Sequence, residues 1–118
     1  KYVGIDVIPS VCNKVNRYYK YIYPNIDINI ICKPSEDVWK DTLLRNKLKN
    51  KFEFVFFSPP YWKLELYNGG IQSTDRYKTY DIWLKEYWTN TIKLCYSSLK
   101  NNHYMALETL LLHHMAEI

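Results

Sequence analysis

The residues with the clearest chemical potential form a corner directly after an apolar stretch. Residues 52–57 read FEFVFF, and they are followed by Ser58, Pro59, Pro60 and Tyr61. Neither proline can donate a backbone hydrogen bond, and each restricts the residue before it, so the corner is stiff. It therefore holds the serine hydroxyl and the carbonyl oxygens in fixed directions beside an aromatic ring. This arrangement favours a ligand site at the end of a strand, with an ordinary rigid turn as the alternative.

A carboxylate ends the first apolar stretch of the chain. Residues 2–6 read YVGID, the pattern of a short strand that ends on an acid. In open α/β sheets, ligands bind outside the carboxyl ends of the strands. Asp6 is therefore a candidate for accepting hydrogen bonds from both hydroxyls of a ribose. Its other interpretation is an N-cap for the helix predicted to begin near Ser10.

Composition limits the classes of function. The chain has 118 residues, of which 47% are hydrophobic and 24% charged, typical of one globular domain, and its net charge of +4 is too modest to establish a polyanion partner. Cys12, Cys32 and Cys95 form no metal-ligand or disulfide pattern, so we interpret them as reduced core thiols. The sequence also lacks an apolar run of about 20 residues. We expect an intracellular protein, cytoplasmic or nuclear, with no metal and no membrane partner.

Apolar periodicity predicts alternating strands and helices. Strands are predicted over residues 2–6, 26–31, 52–57 and 104–108. Helices are predicted over 10–23, over 36–48 with Ser35 as N-cap, over 80–99 with Thr79 as N-cap, and from 110 to 118. This alternation is typical of an α/β protein with a mostly parallel, doubly wound sheet, in which the apolar strand over 52–57 is central and buried on both faces.

The corner and the acid together resemble the motifs of one enzyme family. The segment FVFFSPPYW resembles the catalytic motif of S-adenosylmethionine-dependent amino-methyltransferases acting on DNA, and YVGIDVIP looks like the family's second strand with its ribose-binding acid. The resemblance spans essentially the whole chain, residues 1–118, as a partial catalytic domain with a Rossmann-like methyltransferase fold. It implies S-adenosyl-L-methionine as cofactor and DNA with an extruded base as partner. Cytosine N4 or adenine N6 would receive the methyl group.

The resemblance implies a role for each residue of the corner. The Ser58 hydroxyl and the Pro59 carbonyl would accept the hydrogens of the target amine, so that its lone pair points at the methyl group. Pro60 helps to fix the direction of that carbonyl, and Tyr61 would stack on the extruded base. Since Asp or Asn is the commoner first residue in adenine enzymes, Ser58 slightly favours cytosine N4.

The implied cofactor-binding residues follow the first two predicted strands. Asp6, with Val7 beside it, would bind the ribose. Family members often carry an acid after the next strand, where it meets the adenine amine, and the chain has Pro34 at that place. Glu36 or Asp37 is the candidate instead, with helix capping as their other interpretation.

The sequence departs from the family pattern at its first motif, an aromatic-x-Gly-x-Gly turn. Gly4, Gly69 and Gly70 are the only glycines, and none fits such a turn. We therefore expect an excerpt of a longer protein that lacks the first strand with its Gly-rich loop and the final strands. Because that first strand lies between the second and fourth in the family's sheet, the sheet should have a gap. Alternatives are a catalytically dead remnant, methylation of an RNA base or a protein amide, and a non-catalytic nucleic-acid-binding subunit.

The long connection after the corner is the candidate lid. Residues 62–78 are predicted to be irregular, mobile without nucleic acid, and ordered over the extruded base. Lys63, Arg76 and Lys78 flank this connection and are candidates for phosphate contacts. The three histidines show no metal-ligand spacing; they are His103, His113 and His114.

Overall fold

The chain alternates strands and helices in an α/β arrangement, and this part of the prediction is confirmed. The structure is a computed structural model that describes residues 1–60, 62 and 72–108. Its elements are β1 (Tyr2–Asp6), α1 (Pro9–Ile22), β2 (Ile28–Cys32), α2 (Ser35–Lys40), α3 (Thr42–Leu48), β3 (Phe52–Phe57), α4 (Ser73–Arg76), α5 (Tyr80–Trp83), a π-helical segment (Leu84–Trp88), α6 (Thr89–Ser98) and β4 (Leu99–Leu107). Tyr61 and the helix predicted over 110–118 lie outside the described residues.

The four strands form two parallel pairs. β1 pairs with β2 in a register that ends at Asp6 and Cys32, and β3 pairs with β4 in a register that ends at Phe57 and Leu107. In the described part of the chain no strand ladder joins the two pairs, so the predicted single doubly wound sheet does not form from these strands. The break separates β1 from β3, where the resemblance implies a gap.

Helices pack on both faces of the β1–β2 pair. The Tyr2 ring lies 5.8 Å from the ring of Tyr19 in α1. Because side chains alternate along a strand, Val3 and Ile5 project from the opposite face, where they pack against a core cluster. The buried members of that cluster are Val38 of α2, Leu48 of α3 and Leu94 of α6. Since Phe52 of β3 packs against the same cluster, this helical layer joins the two strand pairs.

β3 has the predicted bounds but is covered on one face only. Phe57 packs against the ring of Trp88, with 5.8 Å between ring centroids. Phe54 and Phe56 project from the other face and are 60% and 61% exposed. Tyr104, which pairs with Phe54, is also exposed. The prediction of a strand buried on both faces is therefore wrong, because no described element covers the second face.

The helix predicted over 36–48 is two helices that meet at Asp41. The Asp41 backbone is extended, with φ −79° and ψ 107°, which ends α2. Its carboxylate then accepts hydrogen bonds from the amides of Leu43 and Leu44, at 3.1 and 3.2 Å, as the N-cap of α3. A side-chain cap therefore replaces a continuous helix at this point in the sequence.

The two predicted N-caps have different outcomes. Thr79 caps α5, because its hydroxyl accepts a hydrogen bond from the amide of Ile82 at 3.3 Å. Ser35 is instead the first residue of α2, and its hydroxyl is hydrogen-bonded to that of Thr91 in α6 at 2.6 Å. The Ser35 side chain, which the local sequence predicts to be a helix cap, thus makes a tertiary contact instead.

Three further boundaries differ from the prediction. α1 begins with Pro9 and ends at Ile22, and β2 lies two residues later at its start, over Ile28–Cys32. β4 begins at Leu99, five residues before the predicted start, and its register with β3 shifts between Phe52 and Phe54. Asn102, with φ 63°, lies in the irregular part of β4.

Candidate active site

Asp6 is the last residue of β1 and holds the turn that leads into α1. Its Oδ1 accepts a hydrogen bond from the amide of Ile8 at 2.9 Å. α1 begins at Pro9 and its N-cap is Ile8, so Asp6 is not the N-cap of this helix. The second carboxylate oxygen accepts no hydrogen bond from any described residue. Asp6 and the half-buried Val7 thus lie at the carboxyl end of a parallel strand, with one oxygen available to a ligand.

The Ser-Pro-Pro corner follows the last ladder hydrogen bond of β3. That bond joins the amide of Glu108 to the carbonyl of Phe57 at 3.0 Å. Ser58 is exposed, Pro59 is buried and Pro60 is half-buried. Among described residues, neither the Ser58 hydroxyl nor the Pro59 carbonyl has a hydrogen-bond partner. Two acceptors at this strand end therefore have no internal partner in the described part of the chain.

An aromatic cluster supports the exit from the corner. Trp62 lies 5.7 Å from the ring of Trp83 and 6.1 Å from that of Tyr80. Trp83 is only 3% exposed, and its indole N–H donates to the Ser73 hydroxyl at 3.0 Å. The same ring contacts Tyr87 at 5.2 Å. Trp83 and Tyr87 are therefore core residues, whereas Tyr96 of α6 is 78% exposed. The contacts around Trp83 anchor the chain on the far side of the two prolines.

The second half of the connection after the corner is ordered. α4 begins with a capping box, in which Gln72 and Asp75 each bond to the backbone of the other. Gln72 and Ser73 are buried. The prediction of an irregular segment is therefore wrong for residues 73–76, whereas residues 63–71 lie outside the described part.

Glu36 and Asp37 lie in the first turn of α2, and both bind the end of α4. Glu36 is 1% exposed, and its Oε2 accepts a hydrogen bond from the Tyr77 hydroxyl at 3.0 Å. The Arg76 guanidinium lies 3.4 Å from Glu36 Oε1 and donates to both carboxylate oxygens of Asp37 at 3.2 Å. The four residues form a clamp, which we call the Glu36–Arg76 clamp, between α2 and α4.

Burial and charge act in opposite directions within the Glu36–Arg76 clamp. Burial raises the pKa of Glu36, while the Tyr77 hydrogen bond and the charge of Arg76 lower it in part. The pKa of Tyr77 is raised as well, first by burial and then by the Glu36 charge. Burial tends to lower the pKa of Arg76, but the hydrogen bonds to Asp37 and the charge of Glu36 raise it overall. The clamp thus joins one buried carboxylate, Glu36, to the partly exposed charges of Arg76 and Asp37.

The clamp changes the interpretation of several predicted ligands. Glu36 and Asp37 each have an intramolecular partner. Their contact with a cofactor stays a prediction, and such a contact would have to form while the clamp is in place. Arg76, a predicted phosphate contact, pairs with these two acids instead. Lys78 is exposed, and Lys63 lies outside the described residues. The acids and Arg76 are forty residues apart in sequence, so no local pattern indicated their contact.

The position of one cysteine differs from the prediction. Cys12 and Cys95 are buried, as predicted, but Cys32 is exposed. Cys32 pairs in register with Asp6, and the Cys12 thiol donates to the Asp6 carbonyl at 3.5 Å. Two cysteines that are twenty positions apart therefore lie at the same strand end as the predicted ribose-binding acid.

Metal ligands do not converge in the part of the chain that the structure describes, since no three His, Cys, Asp or Glu side chains form a group. His103 bonds to the backbone of Asn101, and the other two histidines lie outside the described residues. Among the described residues, no helix is long and apolar enough to cross a bilayer.

A cavity of about 340 Å³ lies at the other end of the β3–β4 pair, beside the register shift. Its lining includes Lys49, Asn50, Tyr96, Lys100 and His103. These residues precede β3 or lie near the start of β4, whereas Ser58 follows the end of β3. The cavity therefore does not coincide with the predicted site.

Comparison with known proteins gives no relative for this chain: no protein-family model, no curated protein and no solved structure matches it.

Proposed function

We propose that this chain carries the catalytic corner of an S-adenosylmethionine-dependent methyltransferase that acts on an exocyclic amine of a DNA base. The observation that carries the proposal is the pair of unused acceptors at the end of β3, the Ser58 hydroxyl and the Pro59 carbonyl. They project from a corner that the adjacent prolines stiffen and that Trp62 anchors to Trp83.

The two acceptors suit a planar amine with two hydrogens. The amine of cytosine or adenine is a weak nucleophile because its lone pair is delocalised into the ring. Ser58 and Pro59 would each accept one of its hydrogens, favouring a pyramidal nitrogen with its lone pair directed outward. Tyr61 would stack on the extruded base, which has to leave the duplex for its amine to be reached. Ser58 as first residue favours cytosine N4 over adenine N6.

Asp6 fits the ribose of the cofactor. Its available oxygen lies at the carboxyl end of β1, and its other oxygen fixes the turn through the Ile8 amide. A carboxylate held in this way can accept a hydrogen bond from a ribose hydroxyl without first giving up a partner. Bound S-adenosylmethionine would supply the electrophilic methyl group.

Strand pairing supports the Rossmann-like interpretation of the fold. β2 with β1 and β3 with β4 are parallel pairs, with helices on both faces of the first pair. In the resembling family these pairs lie on either side of the family's first strand. The order of elements and the break between β1 and β3 both agree with that arrangement.

The proposal is tested by incubating the purified full-length protein with labelled S-adenosylmethionine and DNA duplexes of mixed sequence, then digesting the DNA to nucleosides. We expect label in N4-methylcytosine or N6-methyladenine, and weaker calorimetric binding of the cofactor to Asp6→Ala. RNA and asparagine-containing peptides serve as parallel substrates. Label in RNA or peptide alone would overturn the DNA assignment, and cofactor binding with no transfer to any substrate would favour a non-catalytic subunit.

A further inference from the structure

Two thiols meet at the carboxyl end of the β1–β2 pair. Cys32 is the last residue of β2 and lies in register beside Asp6. Cys12 is in the first turns of α1, and its thiol donates to the Asp6 carbonyl at 3.5 Å. The amide of Lys33, which directly follows Cys32, donates to the same carbonyl at 2.9 Å. One carbonyl oxygen thus joins the Cys12 side chain to the backbone next to Cys32.

Strand alternation directs the two side chains toward each other. Tyr2 contacts Tyr19 of α1, so the face of β1 that carries Tyr2 and Asp6 is the face that α1 covers. Residues that pair in register in a parallel ladder project from the same face, so Cys32 projects toward α1, the helix that holds Cys12. The Cys32 side chain also contributes to the raised pKa of Cys12, as a neighbouring group would.

We propose that Cys12 and Cys32 form a reversible intramolecular disulfide when the protein meets a peroxide, placing an oxidation site at the strand end that carries Asp6. The Cys32 sulfur attacks one peroxide oxygen; an S–O bond forms, the O–O bond breaks, and the second oxygen leaves as water after taking a proton. The Cys12 sulfur then attacks the Cys32 sulfur; the S–S bond forms, the S–O bond breaks, and the hydroxyl leaves as water with the Cys12 proton. Two thiols are oxidised and one peroxide is reduced to two waters.

Exposure assigns the two roles. Cys32 is exposed to solvent, whereas Cys12 is 5% exposed. Burial, together with the nearby Cys32, raises the pKa of Cys12 to about 12, so its thiolate is scarce at neutral pH. Cys32 is therefore the thiol that meets the oxidant, and Cys12 resolves the product. Cys95 is buried in α6 and its pKa is raised to about 11 by burial, so it serves as an internal unreactive reference.

Oxidation changes the surroundings of Asp6. The Cys12 thiol loses the hydrogen that it donates to the Asp6 carbonyl, and α1 becomes covalently joined to the end of β2. If Asp6 binds the cofactor ribose, which rests on the proposed function, oxidation lowers the affinity for S-adenosylmethionine. Formation of the bond itself does not depend on that function, so the two proposals can fail separately.

The test is disulfide mapping in the reduced full-length protein after hydrogen peroxide treatment and alkylation under denaturing conditions. We expect loss of two alkylatable thiols per chain, one linked peptide pair containing Cys12 and Cys32, full recovery by dithiothreitol, and alkylated Cys95. Cys95→Ser should keep the linked pair and Cys32→Ser, at an exposed position, should abolish it. Alkylated Cys12 and Cys32 after treatment, a disulfide only between chains, or a linked pair containing Cys95 would each overturn the proposal.

Discussion

Glu36 is a carboxylate that the fold has removed from water. A buried charge is costly unless it is paired and hydrogen-bonded, and here Arg76 and Tyr77 supply both partners. The clamp therefore fixes α4 relative to α2, and so fixes one end of the connection that follows the Ser-Pro-Pro corner. The Glu36–Arg76 clamp thus positions the segment that joins the Ser-Pro-Pro corner to α4.

Replacement of Arg76 by Gln should destabilise the protein more than loss of an exposed ion pair does. Arg76→Gln leaves Glu36 with the Tyr77 hydroxyl alone, and an undercompensated buried group costs about 1–3 kcal/mol in the free energy of unfolding. Lys40→Gln is the matched control. Lys40 lies in α2, as Glu36 does, and forms an exposed ion pair with Glu86. Such a pair contributes about 0–1 kcal/mol to the free energy of unfolding. Urea unfolding measures both, and equal losses would contradict a structural role for the clamp.

The same carboxylate predicts a pH dependence. Because burial raises the pKa of Glu36 in the folded state, the protonated form favours folding. Its contribution is fully present below about pH 4, the range of an unfolded glutamate, and is lost as the pH rises through the raised value. The parent should therefore lose stability relative to Glu36→Gln as the pH rises above about 4. Urea unfolding of both proteins at a series of pH values measures their difference in the free energy of unfolding. A difference that stays constant, or that grows in favour of the parent as the pH rises, would contradict the prediction.

Residue positions were predictable where they depend on neighbours in sequence. Asp6 at the end of β1 and Ser58 at the end of β3 lie where the apolar runs placed them. The partners of Glu36 were not predictable, since Arg76 and Tyr77 approach it only after the chain has passed through β3. The pair formed by Cys12 and Cys32 has the same origin, because it depends on the register of β1 with β2.

At the scale of elements, the cap of α5 is the clearest local feature that can be tested. Thr79 accepts a hydrogen bond from the Ile82 amide, so Thr79→Ala should lower the free energy of unfolding by about 1 kcal/mol. Thr79→Ser keeps the acceptor and is expected to retain most of that stability. Chemical denaturation of the three proteins gives the comparison, and an equal loss in the Ser variant would show that the hydroxyl does not act as a cap.

Periodicity predicted the types of the elements, but it did not predict all of their first and last residues. Thr79 and the bounds of β3 were predicted correctly, because both signals are local. The helix over 36–48 was interrupted by Asp41, whose carboxylate gains two amide hydrogen bonds by capping a new helix. Ser35 lost its predicted cap role because Thr91 offered a buried hydroxyl partner. The cap at Asp41 is a local alternative to a continuous helix, whereas the contact of Ser35 with Thr91 is tertiary and is invisible in a local pattern.

At the scale of the whole molecule, one helical layer joins the two strand pairs. Val38, Leu48 and Leu94 are buried at the centre of this layer, with Ile5 of β1 and Phe52 of β3 packed against them. The sequence predicted a single sheet, and apolar content alone could not show that β3 would be covered on one face. The exposed Phe54 and Phe56 mark the face that lacks a described neighbour.

Leu94→Ala tests whether the two strand pairs share one core. Leu94 is 3% exposed, so its truncation should cost about 2–5 kcal/mol, whereas Leu43→Ala, at a position 80% exposed, should cost about 0.5 kcal/mol or less. Because both strand pairs pack on the same cluster, tryptophan fluorescence and far-UV circular dichroism should share one urea midpoint in the parent. In the variant the two signals should again coincide, at a lower urea concentration. Separate midpoints for the two signals would indicate two independently folding parts.

The measurement that tests the central claim most directly is single-turnover transfer of a labelled methyl group to DNA by the Ser58→Ala variant. The change removes one acceptor for the target amine and leaves Pro59, Pro60 and the backbone path intact. We predict a rate lower by about 10²–10³-fold, the scale for losing one group aligned with the transition state, with unchanged cofactor affinity. Ser97→Ala, at the end of α6, is the control and should match the parent. A Ser58→Ala variant that methylates DNA as fast as the parent would contradict the assignment and leave the Ser-Pro-Pro corner as a turn.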